Sequence, residues 1–553
     1  MSLRQNIEDV FRLRQILQAL AVYGFGRFAA RLDLERRFMR RAAEKSELKA
    51  MSDAVRLRLM LEELGPTFIK FGQMLSMRPD ILPYDVITEL EKLQDQVPAF
   101  DYAIVREEIS RGLGRAVEEL FRSFTPEPAA CASLSQVHRA ELFSGERVMV
   151  KVQRPGIERI IRDDLDILSR LARLSRRYFP RPLPFDPAGL VAEFESAIAR
   201  EIDFANEADA MEKFSRQFSG DEIVVIPRVY RAFSGKRVVT MELISGIKIS
   251  DIAAIEKAGL DRRKIAYNGS GAILRQIFLN GFFHADPHPG NMLVLSGNRI
   301  AFIDFGMVGR LTREMRARLA DMLIFIVRKN IHELRESFLS LATAREAVNN
   351  SLFDYDLEDF VERYHGLPLK EINPGLALSG LFNLAARHSL IFPSDLLLLS
   401  KALITAEEVG RKMDPDFSMT ARATPFIEQV RKERYSAEAM IAGGRRLATS
   451  LLRFAGMLPR ELGEILHKIK QGTLKIEFEH MGLENLTGEI DRASNRLSFS
   501  LIIAGLVVSS SVIVHANRGP TYFGLPLLGL AGYIAAFALG IWLIISIIRS
   551  GHL

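Results

Sequence analysis

The C-terminus contains two long stretches without charged side chains. Residues 497–514 would be about one bilayer thickness long as a helix, and residues 519–548 contain no Asp, Glu, Lys or Arg. Buried helices of soluble proteins seldom run so long without a charge, so we predict a transmembrane helical hairpin. Arg492 and Arg496 precede the first span and Arg549 follows the second, which favours a cytoplasmic position for both ends.

Small residues recur every four positions along the second span, at Gly532, Ala536 and Gly540. This spacing lets helices approach closely, and it suits packing against the first span or against a second copy of the chain. The spacing therefore does not decide between a single chain and a homodimer.

Charge and cysteine content narrow the class of protein. The 553 residues carry a net charge of +6, which suits an anionic membrane surface, nucleic acid or arginine-rich helices alike. We predict no nucleic-acid partner. The single cysteine, Cys131, excludes an intramolecular disulfide and a cysteine-based zinc site, and it fits a reducing cytosol. The N-terminus has no apolar core followed by a cleavage site, so we expect no secretory signal.

The N-terminal 95 residues have the pattern of amphipathic helices. Val10, Leu13, Leu17 and Leu20 fall on one helix face, and arginines fall on the other. Such a face can lie on a membrane or pack on the protein body, and we favour packing on the body.

The most informative stretch for chemistry is GFFHADPHPGNMLV. It places His284, Asp286 and Asn291 in an H-x-D-x-x-x-x-N arrangement, the spacing of a kinase catalytic loop. Asp286 would orient or deprotonate the phosphate acceptor, and Asn291 would hold a metal ion beside the triphosphate. Thirteen residues after Asn291, an apolar strand ends in Asp304 of an Asp-Phe-Gly motif, a second metal ligand. Together these motifs predict a site for ATP and Mg²⁺.

Upstream, an alternating strand carries a lysine suited to phosphate binding. In VMVKV, Lys151 would point inward toward the α- and β-phosphates. A kinase also needs a helix carboxylate to hold this lysine, and the segment AREIDFANEADAMEKF offers Glu201, Asp203 and Glu207. Spacing alone does not choose among the three.

The loop before this strand contains no glycine, unlike the G-x-G-x-x-G loop of protein kinases. It reads PAACASLSQVHRA, and its backbone N–H groups could face phosphate at a greater distance than a glycine loop allows. We read Cys131 here as an inert small residue. The predicted loop residues are Ala129, Ala130, Cys131, Ala132 and Ser133.

At these residues the chain resembles the UbiB family of atypical kinase-like proteins, which is linked to ubiquinone biosynthesis. The most specific element is the K-x-G-Q motif in GPTFIKFGQMLSMRPDILP, which supplies Lys70, Gly72 and Gln73. The resemblance implies that this segment folds over the cleft, occludes a peptide-substrate site and gates it. It also implies that Lys70 engages a Glu-x-Asp motif, matched by Glu201 and Asp203.

The same resemblance assigns further residues. With Glu201 and Asp203 in the Glu-x-Asp motif, Glu207 is left to pair with Lys151. Met241 and Glu242 in VVTMELISG would lie at the hinge that meets adenine, although the same pattern suits a plain strand. In the alanine-rich loop, Cys131 stands where relatives usually have alanine, and Ser135 stands where they usually have glycine.

The segment after the Asp-Phe-Gly motif argues against a protein kinase. MVGRLTREMRARLADMLIFIV is expected to enter a helix directly, capped by Thr312, with no long activation segment and no A-P-E motif. A platform for docking a peptide substrate is therefore expected to be missing.

The expected fold is α+β, a bilobal protein-kinase-like fold that is mostly helical. We predict an N-terminal helical extension over 1–95, a kinase-like N-lobe with a helical insertion over 96–245, a helical C-lobe over 246–490 and two transmembrane helices over 497–548. By resemblance to bacterial members, the protein sits in the cell inner membrane and its catalytic domain faces the cytoplasm.

Three functions are weighed. The leading one is an ATPase that uses ATP and Mg²⁺ and acts on or around isoprenoid quinone intermediates in the membrane, or on other ubiquinone-biosynthesis proteins. The second is a true phosphotransferase acting on a protein or a small molecule, because small-molecule kinases share the H-x-D-x-x-x-x-N loop. The third is a scaffold that uses nucleotide without hydrolysing it.

Overall fold

The computed structural model describes most of the chain, and the described residues form two compact units, Met1–Gly443 and Gly444–Leu553. The described ranges are 3–25, 51–78, 81–93, 97–178, 186–344, 348–364, 367, 371–434, 470, 483–516, 520–522 and 525–549. The residues outside this description include 26–50 of the predicted extension and most of 435–482 at the end of the predicted C-lobe.

The N-terminal extension is helical where it is described. Its helices pack their apolar faces together and against a later helix, α7 (Ile157–Tyr178). Their residue bounds are α1 Leu3–Val22, α2 Asp53–Leu64, α3 Pro66–Ser76 and α4 Tyr84–Leu90. Leu13, Leu17 and Leu20 of α1 are turned toward this core, as predicted. Where it is described, α1 is therefore a packed helix of the protein body.

A bidentate ion pair fixes α1 in this position. The Arg12 guanidinium donates to both carboxylate oxygens of Asp164 on α7, at 2.6 and 3.0 Å, and to the carbonyl oxygen of Leu64 at 2.7 Å. The Asp164 side chain is fully buried. Because a buried carboxylate is costly without a partner, this pair ties α1 to the lobe that follows.

The small lobe is built on an antiparallel sheet in the order β1-β3-β4-β6, with β2 paired to β3. In β4, Val148, Val150 and Val152 are fully buried and alternate with partly exposed residues, which is the period of a strand with one face in the core. The elements of this lobe and its insertion are α5 Tyr102–Leu113, α6 Val117–Leu120, β1 Phe121–Phe124, β2 Ala130–Cys131, β3 Ser135–Leu142, β4 Arg147–Gln153, α7 Ile157–Tyr178, α8 Pro187–Ile202, α9 Phe204–Gln217, β5 Val224–Val225 and β6 Val238–Glu242.

The large lobe is mainly helical around one apolar core. A second sheet in the order β5-β10-β9-β7 and a β8–β11 pair carry the predicted catalytic motifs. Its elements are β7 Ile247–Lys248, α10 Ile252–Lys257, α11 Arg262–Leu274, β8 Phe282–His284, β9 Met292–Leu295, β10 Arg299–Phe302, β11 Val308–Arg310, α12 Arg313–Val327, α13 Ile331–Leu341, β12 Thr343–Ala344, α14 Asn350–Tyr364, α15 Pro374–Arg387, β13 Leu390–Ile391, α16 Ser394–Met413 and α17 Met419–Arg434.

One detail of this lobe differs from the prediction. The chain after Gly306 does not enter a helix directly, because Val308–Arg310 first pairs with β8 as the short strand β11. Helix α12 then begins as predicted, with the Thr312 hydroxyl accepting a hydrogen bond from the Met315 N–H at 3.1 Å. The strand pairing holds the chain after the Asp-Phe-Gly motif against the strand that leads into the catalytic loop.

The second unit contains two helices long and apolar enough to cross a membrane. The candidate spans are Ser494–Ala516 and Leu527–Ile544, with mean hydropathies of 2.3 and 2.2, and their side chains are mostly exposed. The elements are α18 Leu483–Ala516, β14 Thr521–Tyr522, β15 Leu525–Pro526 and α19 Leu527–Arg549. Helix α19 thus begins after Pro526, whereas the charge-free run begins at residue 519. The two prolines of this run, Pro520 and Pro526, lie in the turn before the helix.

The close packing predicted for small residues holds for part of α19. A side chain at Gly532 would collide with Ser510 of α18, and Ala536 is buried. Gly540 was expected on the same face, but no described atom lies within 4 Å of where its side chain would be. The small-residue contact with α18 therefore ends before Gly540.

Candidate active site

The strand lysine and a helix glutamate form a buried ion pair. Lys151 Nζ lies 2.9 and 2.8 Å from the two carboxylate oxygens of Glu207. Glu207 is in the first turn of α9, which begins where the Asp203 carboxylate accepts the Ala205 N–H at 3.1 Å. Among the carboxylates left open by spacing, the structure therefore places Glu207 on Lys151 and uses Asp203 as a helix cap.

A third charged group approaches this pair from the large lobe. Asp304 Oδ2 lies 3.8 Å from Lys151 Nζ, and Asp304 Oδ1 accepts the Gly306 N–H at 2.9 Å. The Asp304 side chain is 44% exposed, while those of Lys151 and Glu207 are nearly buried. The Asp304 carboxylate is thus partly exposed next to the Lys151 ammonium, which is itself paired with the buried Glu207.

The electrostatics of this trio follow from burial and proximity. Burial opposes the charge of Lys151, but Asp304 and Glu207 outweigh it and raise the pKa of the ammonium above its ordinary value. Burial also works against the charge of Asp304, yet Lys151 and the Gly306 N–H hold the pKa of Asp304 below its ordinary value. At neutral pH, Lys151 is a cation and Asp304 is an anion able to hold another cation.

The catalytic loop is held by a buried histidine. Burial lowers the pKa of His284, although Asp304 and Asp286 oppose this effect, so the imidazole is neutral at pH 7. Its Nε2–H donates to the Asp304 carbonyl oxygen at 2.5 Å, and its Nδ1 accepts the Asp286 N–H at 3.1 Å. His284 therefore ties the catalytic loop to the Asp-Phe-Gly motif.

Asn291 closes the same loop. Its Nδ2 donates to the Asp286 carbonyl oxygen at 3.3 Å, and no described residue donates to its Oδ1. An amide oxygen and the Asp304 carboxylate are hard oxygen ligands of the kind Mg²⁺ takes together with substrate phosphates. Within the described ranges, no group of three or more His, Cys, Asp or Glu could hold a metal ion without such phosphates. The residues fit a nucleotide-bound Mg²⁺.

A lysine missed by the sequence analysis reaches the catalytic loop. Lys401 Nζ on α16 lies 3.2 Å from Asp286 Oδ1, and both side chains are about one-third exposed. No short-range motif contains Lys401, so only the folded arrangement of α16 reveals it.

The K-x-G-Q helix α3 is fastened to the small lobe. Lys70 Nζ lies 2.5 Å from Glu201 Oε1, and the Gln73 side-chain amide donates to the Leu93 carbonyl oxygen at 3.2 Å. Gly72 is buried, and a side chain there would collide with Leu61 and Leu93. The glycine therefore allows close packing of α3, while Lys70, two residues before it, pairs with Glu201 of the Glu-x-Asp motif.

The alanine-rich segment forms a tight β-hairpin. The Ala129 N–H donates to the Val137 carbonyl oxygen at 2.7 Å, and the Ala132 N–H donates to the Ser135 carbonyl oxygen at 2.8 Å. Ser135 itself is buried, and Cys131 is half-buried. Two of the N–H groups in the segment are thus already satisfied within the hairpin.

The predicted hinge residues lie at the end of β6. Met241 is buried, pairs with Met149 of β4 and bridges to Val229. The Glu242 N–H donates to the Arg228 carbonyl oxygen at 2.8 Å. Both residues lie in strand β6, and the Glu242 N–H is engaged within the protein.

Residues 92–338 match the ABC1 atypical kinase-like domain, residues 357–418 match the UbiB helical domain, and residues 481–549 match the ABC1/UbiB kinase-like C-terminal domain. A protein of Marinobacter nauticus named "Probable protein kinase UbiB" is 36% identical over 76% of this chain and 78% of its own length. The chain belongs to the ABC1/UbiB family of atypical kinase-like proteins.

Other members of the ABC1/UbiB family match along most of the chain. A second "Probable protein kinase UbiB", from Xanthomonas campestris pv. campestris, is 34% identical over 89% of this chain and 90% of its own length. A Clostridium pasteurianum protein described as "Uncharacterized protein in hydrogenase 1 5'region" is 30% identical over 99% and 100%. The UbiB resemblance predicted from K-x-G-Q and the α+β kinase-like fold are confirmed.

The family domains divide the site residues among them. Lys151, Glu207, Asp286 and Asp304 all lie in the ABC1 kinase-like segment, residues 92–338. Lys401 comes from the UbiB helical domain. The helical domain of this family member therefore contributes directly to the surroundings of the catalytic loop.

Proposed function

We propose that this chain is a membrane-anchored, kinase-like ATPase that binds ATP with Mg²⁺ and supports ubiquinone biosynthesis, acting on or around isoprenoid quinone intermediates. The observation that carries the ATP-dependent part is the Lys151–Glu207 pair with Asp304 at 3.8 Å from the lysine. This is the arrangement of phosphate-binding lysine, helix glutamate and metal-binding aspartate that kinases need. The ubiquinone part rests on the names of the relatives.

Each site residue then has a role set by its position. Lys151 holds the α- and β-phosphates and is itself positioned by Glu207, while the Asn291 Oδ1 and Asp304 hold Mg²⁺, which neutralises phosphate charge when bound. Asp286 orients the attacking water or acceptor. Lys401, 3.2 Å from Asp286, adds a positive charge beside the reacting phosphate.

The segments around the adenine and phosphates complete the proposed site. The hairpin from Ala129 to Ser133, with Ala130, Cys131 and Ala132 between them, would lie over the phosphates. Met241 and Glu242 would border the adenine. Because the Glu242 N–H already donates within the protein, backbone carbonyl oxygens there would accept hydrogen bonds from the adenine.

Hydrolysis is favoured over phosphorylation of a protein. After Gly306, the chain makes only the three-residue strand β11 before α12, which leaves no room for a long activation segment. In addition, Lys70 joins α3 to Glu201 of α8 at 2.5 Å, and Gln73 joins it to the Leu93 carbonyl oxygen within the extension at 3.2 Å. Both features support an occluded peptide site in which α3 gates access.

The membrane part of the proposal rests on α18 and α19. Their candidate spans are consistent with a two-pass membrane anchor. We place this anchor in the cell inner membrane with the kinase-like unit on the cytoplasmic side, where it would meet membrane-embedded quinone intermediates and other ubiquinone-biosynthesis proteins. Arg492 before the Ser494–Ala516 span, Arg496 in its first turn and Arg549 at the end of α19 favour this orientation.

The test is Mg²⁺-dependent phosphate release from ATP by the purified full chain. It is measured with and without anionic liposomes and a phenolic quinone-precursor analogue, for wild type and for Asp304→Asn. Release that liposomes or the phenol stimulate, and that Asp304→Asn loses, is the expected result. ATP binding without any Asp304-dependent release would refute the ATPase.

Two other outcomes identify the alternatives. A stoichiometric phosphorylated acceptor, in place of free phosphate, would indicate a true phosphotransferase. Normal quinone production in cells that carry Asp286→Asn or Asp304→Asn would indicate a scaffold that does not need hydrolysis. Wild-type chain in the same membranes is the reference for both measurements.

A further inference from the structure

A cavity of about 670 Å³ lies behind the proposed nucleotide site. It is enclosed by α3, α8 and α9, by the chain around β11 and by the start of α16. Lys151, Asp286, Asn291 and Asp304 do not line it, whereas Glu207 does. The cavity therefore borders the Lys151–Glu207 pair through Glu207.

Part of the lining of this cavity is apolar. It is formed by flexible thioether and aromatic side chains, the composition of sites that hold small apolar ligands. A volume of about 670 Å³ is also within the usual range for such sites. The apolar lining includes Met74, Met77, Phe194, Phe282, Phe305 and Met307.

Two cations converge on one aromatic ring at the edge of this apolar lining. Lys213 Nζ lies 3.7 Å from the centroid of the Phe282 ring, and the Arg310 guanidinium lies 5.6 Å from the same centroid. Within the described ranges, neither side chain has a carboxylate within ion-pair distance. Burial lowers the pKa of Lys213, and Arg310 and Arg216 lower it further. An anion between these groups would relieve their repulsion.

The acidic residues around the cavity already have partners. Glu193 pairs with Arg78 at 2.6 Å, and Glu201 pairs with Lys70 at 2.5 Å. Glu207 is held by Lys151. These lining carboxylates are therefore neutralised without Lys213 or Arg310.

Of the other lining carboxylates, Asp209 and Glu212 are paired with an arginine, whereas Asp395 only accepts a backbone N–H. Asp209 and Glu212 both pair with Arg231, which does not line the cavity. Asp395 accepts the backbone N–H of Arg310 at 2.8 Å. Lys213 and the Arg310 guanidinium thus remain as a positive charge at the edge of an apolar chamber.

We propose that this cavity binds a free, single-chain anionic amphiphile. Its acidic head lies between Lys213 and Arg310 over the Phe282 ring, and its apolar body extends along Met74 and Phe194. The charge pattern selects the head, because an ammonium head would meet two cations and an alcohol would leave them uncompensated. This site goes beyond the proposed ATPase and does not depend on hydrolysis of ATP.

The experiment uses the full chain in nanodiscs of zwitterionic lipid. A photoactivatable dodecanoate that carries a diazirine on its tail is compared with the dodecanol and dodecylamine that have the same tail. Cross-linked residues are mapped by mass spectrometry, which separates labelling of the cavity from partition into the bilayer. We expect dodecanoate to label α3, α9 and the chain around β11 at least tenfold more than dodecylamine does.

Variants separate the head contact from the chamber. Lys213→Met should reduce cavity labelling about tenfold, Lys213→Arg should retain it, and Ala197→Trp, which fills the chamber, should abolish it. Lys257→Met on α10, an exposed lysine away from the cavity, is the matched control and should label as wild type does. Thermal unfolding of each variant establishes that it is folded.

Three results would overturn the proposal. The first is equal labelling of the cavity by the three head groups. The second is labelling that does not report on the cavity, because it is confined to α18 and α19 or because it stays unchanged in both Lys213→Met and Ala197→Trp. The third concerns the source of the anion: if nanodiscs that contain phosphatidylglycerol displace dodecanoate from the cavity, a bilayer phospholipid occupies the site in place of a free amphiphile.

Discussion

Replacing Lys401 by methionine should slow ATP hydrolysis roughly tenfold. Lys401 Nζ lies 3.2 Å from Asp286 Oδ1, so the lysine both positions this carboxylate and adds positive charge where the reacting phosphate would lie. A hydrogen bond to a charged group contributes about 1.5–3 kcal/mol. Because both side chains are about one-third exposed, solvent screening favours the lower end, about 1.5 kcal/mol, which corresponds to roughly tenfold in kcat.

The assay is steady-state phosphate release at saturating Mg²⁺, with kcat and KM for ATP determined separately. Lys401→Met should lower kcat, because the missing charge acts on the reacting phosphate, and Lys401→Arg should restore most of it. Lys412→Met is the matched control, since Lys412 is an exposed lysine on the same helix and should give wild-type rates. Thermal unfolding should change little, because the Lys401–Asp286 pair is partly solvated.

Two results would contradict this reasoning. If Lys401→Met and Lys412→Met have the same kcat, Lys401 does not act on the reaction. If Lys401→Met lowers kcat and unfolds at a much lower temperature than Lys401→Arg, the lysine is needed for the fold of α16 and not for the chemistry.

Two further predictions concern the N-terminal extension. Glu201→Gln should loosen the packing of α3, because Glu201 is the 2.5 Å partner of the largely buried Lys70. In a double-mutant cycle with Lys70→Met, measured by denaturant unfolding, the coupling free energy between the two residues should be about 1–2 kcal/mol. Additive effects of the two substitutions on the free energy of unfolding would refute the pair. Lys92 and Arg58 hold the pKa of Glu89 below its ordinary value, so the stability that this carboxylate contributes is present above about pH 4.3 and is lost as pH falls through the lower folded-state pKa. Unfolding of wild type and Glu89→Gln should therefore differ at pH 7 and converge in acid, and a constant difference would contradict this assignment.

Local spacing was enough to predict the parts of the site that the chain holds close together. Asp286 and Asn291 belong to one short loop, and Asp304 follows it after a β-hairpin, so their relative positions are nearly fixed by the backbone. Lys151 could be predicted because strand alternation decides which way its side chain points. The choice of Glu207 over Glu201 needed the family resemblance, and in the structure it follows from the start of α9 at the Asp203 cap.

The remaining features depend on contacts between distant segments, which no local pattern encodes. Lys401 reads in the sequence as one polar residue on an amphipathic helix, and only the packing of α16 brings it to the catalytic loop. The cavity is likewise formed by α3, α8, α9 and α16 together, so no single segment predicts it. Strand β11 was missed because three residues are too short for a strand pattern to be recognised.

Two carboxylates of the kinase-like segment are paired with cations that come from the regions before and after that segment. Residues 92–338 contain the carboxylates Glu201 and Asp286, but the cations that neutralise them come from outside this segment. Lys70 reaches Glu201 from the N-terminal extension, and Lys401 reaches Asp286 from the UbiB helical domain. Removing either flank would leave a carboxylate in a partly desolvated cleft without its partner, which costs more than a simple loss of contact. The extension and the helical domain therefore both supply charges to the candidate site, even though the predicted nucleotide-binding motifs lie between them in the sequence.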